Sequence, residues 1–115
     1  MSAVGQDPAR TVEFFRVLAH PTRRHMLRLI ASGEEVARGA IEESTGLAPD
    51  MASYHLRVLV VADVVELRRR GRKVFYALRR DTVGEVVDRL AEVAGAEVAG
   101  SAVPAPAAGA RAGSR

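Results

Sequence analysis

Apolar positions recur along this chain at two spacings, and the change from one to the other divides it into segments. In "QDPARTVEFFRVLAH" the residues Val12, Phe15, Leu18 and Ala19 fall at helical spacing, with Asp7 placed to cap a first helix and Pro8 suited to its first turn. His20 and Pro21 break that run and open a second helix, whose apolar face is Met26, Leu27, Leu29 and Ile30 until Ser32 and Gly33. From Val36 to Thr45 the pattern supports a short third helix, weakened by Gly39, and Gly46 supplies a stop in the left-handed region. A fourth helix starts near Pro49 and Asp50 and buries Ala52, Leu56 and Leu59, which leaves Asp50, Met51, Ser53, Tyr54 and Arg57 on its opposite face. Alternation then replaces the helical period. "VVELRRRGRKVFYAL" reads as two short strands, Val65 and Leu67 on the first and Val74, Tyr76 and Leu78 on the second, joined by a glycine-containing turn. In the last helix Val83, Val86, Val87, Leu90, Val93 and Ala94 form a continuous apolar stripe.

The expected fold class is therefore mostly α with a small β-hairpin, in the order α1-α2-α3-α4-β-β-α5. Residues 1–7 are expected to be a flexible N-terminus, 8–95 one domain, and 96–115 a disordered Ala/Gly/Pro-rich tail without apolar period. Two helices joined by a tight glycine turn fit an ordinary helical hairpin as well as a helix-turn-helix. The hairpin that follows shifts the balance, because a basic hairpin directly after a helix-turn-helix is a wing that can reach backbone phosphates or the minor groove.

Composition bounds this picture. With 115 residues and 48% hydrophobic content the chain can build one modest core. It has no cysteine, which excludes disulfides, thiolate metal sites and thiol redox chemistry. The N-terminus lacks the pattern of an export signal and no apolar stretch approaches the roughly 18 residues of a membrane span, so a soluble, cytoplasmic chain is expected. Charge is uneven: residues 49–80 carry eight basic and three acidic side chains, residues 81–100 one and five. The densest basic run is "RRRGRK", residues 68–73, at the expected hairpin tip. Such a block is either a solvated face or the footprint of a polyanion binder.

Catalytic and metal chemistry find little support. There is no nucleophile paired with a base, no carboxylate pair in a plausible cleft and no phosphate-cradling glycine loop, so an enzyme is not expected. His20, His25 and His55 form no zinc spacing; His20 is expected to cap or pack and His55 to join the core. Asp81, Glu85, Asp88 and Glu92 share a helical stripe that reads as a solvated face rather than a cation site. No cofactor or metal is expected.

Three segments, "LAHPTRRHMLRLI", "TGLAPDMASYHLRVL" and "GRKVFYAL", in this order and spacing, resemble the ArsR (arsenical-resistance-repressor) type of bacterial winged helix-turn-helix regulators. The resemblance covers about residues 10–95. It implies base readout by Asp50, Met51, Ser53 and Tyr54, and phosphate contact by Arg57 and the wing residues Arg69, Arg70, Arg72 and Lys73. It also implies a homodimer joined through the first and last helices, with Phe14, Phe15 and Leu18 beside Val83, Val86, Val87, Leu90, Val93 and Ala94. The implied function is that of a sequence-specific repressor of double-stranded DNA promoters, with an inverted-repeat operator and an effector of unknown nature. The alternative is a winged-helix protein–protein interaction module without specific DNA binding. Departures from the family pattern are Ala48 in place of a capping serine, Glu42 in place of a small residue under the turn, and Asp63 in place of a glycine before the wing. Asp63 suits its place, because aspartate tolerates the left-handed region.

Overall fold

The computed structural model describes residues 8–95; Asp7 and the tail beyond Gly95 lie outside the described residues. The element order is α1 (Pro8–Leu18), α2 (Pro21–Ala31), β1 (Val36–Ala37), α3 (Arg38–Thr45), α4 (Pro49–Val61), β2 (Val65–Arg70), β3 (Lys73–Leu78) and α5 (Arg80–Ala94). The helix order and hairpin follow the sequence pattern, with one addition. Val36 and Ala37, expected to begin the third helix, are extended and pair antiparallel with Tyr76 and Phe75. The hairpin is thus part of a three-stranded sheet, ordered β1-β3-β2. Two residues cannot display a period, and an apolar pair before a helix looks like its first turn; pairing to β3 decides otherwise.

Three helix ends have a local reason. His20 caps α2, its Nδ1 accepting the Thr22 N–H at 3.2 Å, and Pro21 occupies the first turn where a missing N–H costs nothing. α3 ends at Gly46, whose φ of 71° is left-handed and whose N–H donates to the Glu42 carbonyl at 2.9 Å. Three residues later α4 starts at Pro49 with Ala48 as its N-cap and no side-chain cap, so Asp50 in the first turn is the acidic group at that positive helix end.

The core of residues 8–85 is built from Phe14 and Val17 of α1, Met26 and Ile30 of α2, Ile41 of α3, and Ala52, Leu56 and Leu59 of α4. Val64, Val65, Tyr76 and Ala77 close it at the root of the hairpin. The face of α1 that the period suggested is turned the other way: Val12 and Phe15 are exposed while Phe14 and Val17 are buried. Adjacent phenylalanines give both faces an apolar choice, and it is Phe14 that is buried. From Val86 onward α5 continues by itself, with Val86 buried and Val87, Leu90 and Val93 exposed.

Candidate nucleic-acid interface

Helix α4 divides cleanly by burial. Ala52, His55, Leu56 and Leu59 are buried, whereas Asp50, Met51, Tyr54 and Arg57 are exposed and Ser53 is half-buried. Met51 at 47% and Tyr54 at 54% exposure are large side chains left in solvent at the start of a helix, where an interior-only role would have hidden them. The structure therefore brings all five residues expected to face DNA onto one outer surface. His55 lies on the inner side, 4.7 Å from the His20 ring between centroids, with its Nδ1 3.3 Å from Arg23 Nη1. An arginine can only donate, so Nδ1 is the acceptor and the proton of the neutral ring sits on Nε2. Burial, followed by the nearby His20 and Arg23 charges, holds the His55 pKa below its ordinary value, so the ring is neutral at pH 7.

The hairpin runs from Val65↔Leu78 at its root to Arg70↔Lys73 at its end, leaving Gly71 and Arg72 as a two-residue turn. Gly71 has φ 62° and Arg72 is not in the positive region, the sign pattern of a type II′ turn, which matches the twist of the strands. Asp63 at the entry has φ 66°, as its residue type allowed, and its carboxylate is held by Arg10 at 3.1 Å and Arg79 at 3.2 Å. Glu42 pairs with Arg38 on α3 at 3.3 Å, which settles its charge beside the turn.

The six-residue basic run proves to be of two kinds. Alternation sends Arg68 and Arg70 to one face of the hairpin and Arg69 to the other. Arg68 donates to Glu66 at 2.7 Å and to Glu35 at 3.2 Å; Arg70 also donates to Glu35 and lies over the Phe75 ring at 4.0 Å. The Arg70 hydrogen bond is the main reason the Glu35 carboxyl is held below the usual carboxylate range, with Arg68 adding to it against the opposing effect of burial. Arg57, Arg69, Arg72 and Lys73 make no ion pair among the described residues. Sequence reasoning placed Arg70 with the available cations and missed Glu35. Only β1, which ends the loop carrying Glu35 beside β3, brings that carboxylate within reach.

Among the described residues no group of histidines and carboxylates is arranged to hold a metal ion. Three of the four carboxylates in the α5 stripe meet arginines instead: Asp81 meets Arg79 at 3.3 Å, Glu85 meets Arg10 at 4.0 Å and Glu92 meets Arg89 at 3.8 Å. No helix among the described residues is long and apolar enough to cross a membrane.

Comparison with known proteins agrees with this geometry. A helix-turn-helix domain family matches residues 18–68, from the end of α1 to the middle of β2. The chain is 36% identical over 80 residues to a probable mercury resistance operon repressor of Streptomyces lividans, covering 70% of this chain and 63% of that protein's length. It is 36% identical over 93 residues to the HTH-type transcriptional regulator KmtR of Mycobacterium tuberculosis, covering 81% of this chain and 69% of that one. Among solved structures, the homodimeric winged helix-turn-helix DNA-binding domain of a possible ArsR-family transcriptional regulator from Mycobacterium bovis superposes with a TM-score of 0.61. That domain is 30% identical, and the match covers 76% of this chain and 79% of it. The chain belongs to the ArsR-type winged helix-turn-helix transcriptional regulators. It is accordingly a DNA-binding regulator and not an enzyme.

Proposed function

We propose that this regulator is a cytoplasmic homodimeric repressor that occupies a promoter by placing α4 in the major groove of an inverted-repeat operator. The single observation that carries the assignment of residues is the outer face of α4, where Met51, Ser53 and Tyr54 stand accessible beside Asp50 and Arg57. Met51, Ser53 and Tyr54 read base edges. Asp50 supports the helix start, since a carboxylate near phosphates is repelled. Arg57, Arg69, Arg72 and Lys73 meet the backbone, and Arg70 does so only when Glu35 lets it go. Dimerisation uses exposed apolar stripes on two helices, Val12 and Phe15 on α1 and Val87, Leu90 and Val93 on α5. Of the other residues expected there, Phe14 and Val86 are buried, Leu18 and Val83 are half-buried and Ala94 is exposed. The homodimeric relative from Mycobacterium bovis supports the dimer itself. Two-fold symmetry then sets the recognition helices about 34 Å apart, one turn of DNA. With no cysteine in the chain, its effector does not act through a thiolate metal site.

Selection of bound duplexes from a randomised pool, followed by footprinting, tests the proposal. The expected result is an inverted repeat with half-sites one helical turn apart and a log-log salt slope of about −0.9 per phosphate neutralised. Alanine at Arg69, Arg72 and Lys73 should weaken binding to every sequence alike, and changes at Ser53 or Tyr54 should alter which sequence wins. Absence of salt-sensitive binding to any duplex would leave the chain a protein-interaction module instead.

A further inference from the structure

Between the end of α1, the length of α2, the end of β3 and the start of α5 lies an open hollow of about 480 Å³, within the size range of small-molecule sites. Its walls are apolar, with Leu18, Leu27, Leu78 and Val83 among them, and its charged lining is two arginines of α2, Arg24 and Arg28, with no carboxylate. Arg24 and Arg28 are one helical turn apart and so share a face. Arg24 Nη1 donates to the Leu18 carbonyl at 2.9 Å, which fixes its guanidinium beside the apolar wall. Arg28 makes no ion pair among the described residues.

We propose that this hollow binds an amphipathic carboxylate, an aliphatic chain with one anionic end, as the effector that tunes DNA binding. An apolar wall beside two guanidinium groups matches such a molecule and rejects its neutral and cationic counterparts, since guanidinium and carboxylate form a charge-assisted pair that an alcohol cannot replace. The occupied segment of α2 is also the one that holds the recognition helix. Arg23, next to Arg24, donates to the Val17 carbonyl at 3.0 Å and reaches His55 of α4. A carboxylate that draws Arg24 from the Leu18 carbonyl therefore acts one residue from the contact that seats α4. This regulatory half rests on the DNA-binding reading; the binding half does not.

The test uses decanoate as probe, below its micellar concentration, with decanol for comparison. In an amide NMR titration of the full chain without DNA, decanoate should shift Leu27, Arg28, Leu78 and Val83 saturably, with at least about tenfold weaker binding of decanol and of decanoate to the Arg28→Gln variant. Arg28→Gln removes one exposed charge and leaves the fold intact, which its unliganded spectrum verifies. Equal binding of decanol, unchanged affinity in R28Q, or protection of these residues by a second copy in the free protein overturns the site. Saturating decanoate should change the affinity for the selected duplex at least about threefold in the native protein and not in R28Q. Binding without that change overturns the effector role. Failure of the ligand-free protein to bind any duplex is a separate result, and it counts against the DNA-binding reading alone.

Discussion

Replacing Glu35 with glutamine isolates the restraint on the wing. Among the described residues Arg70 has no carboxylate partner but Glu35, whereas Arg68 keeps Glu66 at 2.7 Å, so the variant releases one guanidinium per protomer and about two in a dimer. Glutamine can still accept a hydrogen bond but no longer neutralises the charge. If each released arginine meets one phosphate, the log-log dependence of DNA affinity on salt steepens by about 1.8, from about 0.9 per phosphate. Over the interval from about 50 mM to about 200 mM salt, that difference shrinks the variant's advantage about tenfold. Fluorescence anisotropy on one duplex at four or more salt concentrations measures the slope directly. The double variant Glu35→Gln with Arg70→Ala separates phosphate contact from the mere loss of a negative charge, and it should restore the original slope. Parallel lines for the native protein and E35Q would refute the reasoning, since they would mean that Arg70 reaches DNA despite Glu35 or never reaches it. The restraint should hold throughout the neutral range. Glu35 is held below the usual carboxylate range, so the stability its pairs contribute is present above the ordinary glutamate value and is lost only as pH falls through the lowered one.

Other expected outcomes follow from single residues. The lowered pKa of His55 means that its full contribution is present above the ordinary imidazole value of about 6.5 and is lost as pH falls from there through the folded value. Urea titrations across that window should show the loss, and His55→Gln should flatten it. Thr82 is fully buried with no hydrogen-bond partner for Oγ1 among the described residues, so Thr82→Val should stabilise by about 1 kcal/mol and raise the melting temperature by about 4–8 °C in calorimetry. At Asp63, Val should be worse than Gly by about 1–2 kcal/mol in urea denaturation, because both lose the Arg10 and Arg79 pairs and only Val strains the left-handed backbone. Leu90→Glu, a charge in the exposed stripe of α5, should reduce the mass seen by light scattering to that of one 12.3 kDa chain and weaken operator binding.

Elements with long or strongly punctuated patterns were legible from the sequence. His20-Pro21, Gly46 and Pro49 mark helix ends by residue chemistry, and the structure starts α2 at a His20 cap, stops α3 at Gly46 and starts α4 at Pro49 without a side-chain cap. Asp63 was readable for the same reason, since its backbone conformation follows from its side chain. What escaped depends on distant pairing. β1 is too short to carry a period, and Glu35 meets Arg68 and Arg70 across more than thirty residues of chain. A run of like charges shows how many cations there are; the opposing carboxylate decides how many remain uncommitted. Likewise the choice between Phe14 and Phe15 is made by packing, which neighbouring apolar residues leave undetermined.

The short strand β1 has a mechanical consequence for the wing. It grips β3 at Phe75 and Tyr76, midway along the hairpin, and Glu35 just before it holds Arg68 and Arg70, so the hairpin is a beam clamped over its middle and free at the turn that follows Arg70. Cross-strand support is therefore greatest where β1 pairs and least at Gly71 and Arg72. In the proposed complex the recognition helix would register rigidly on the bases while the cationic tip, being the compliant end, follows local changes in groove width. One fixed jaw and one sprung jaw would let a single protein hold operators whose backbones differ in shape without relaxing its reading of their sequence.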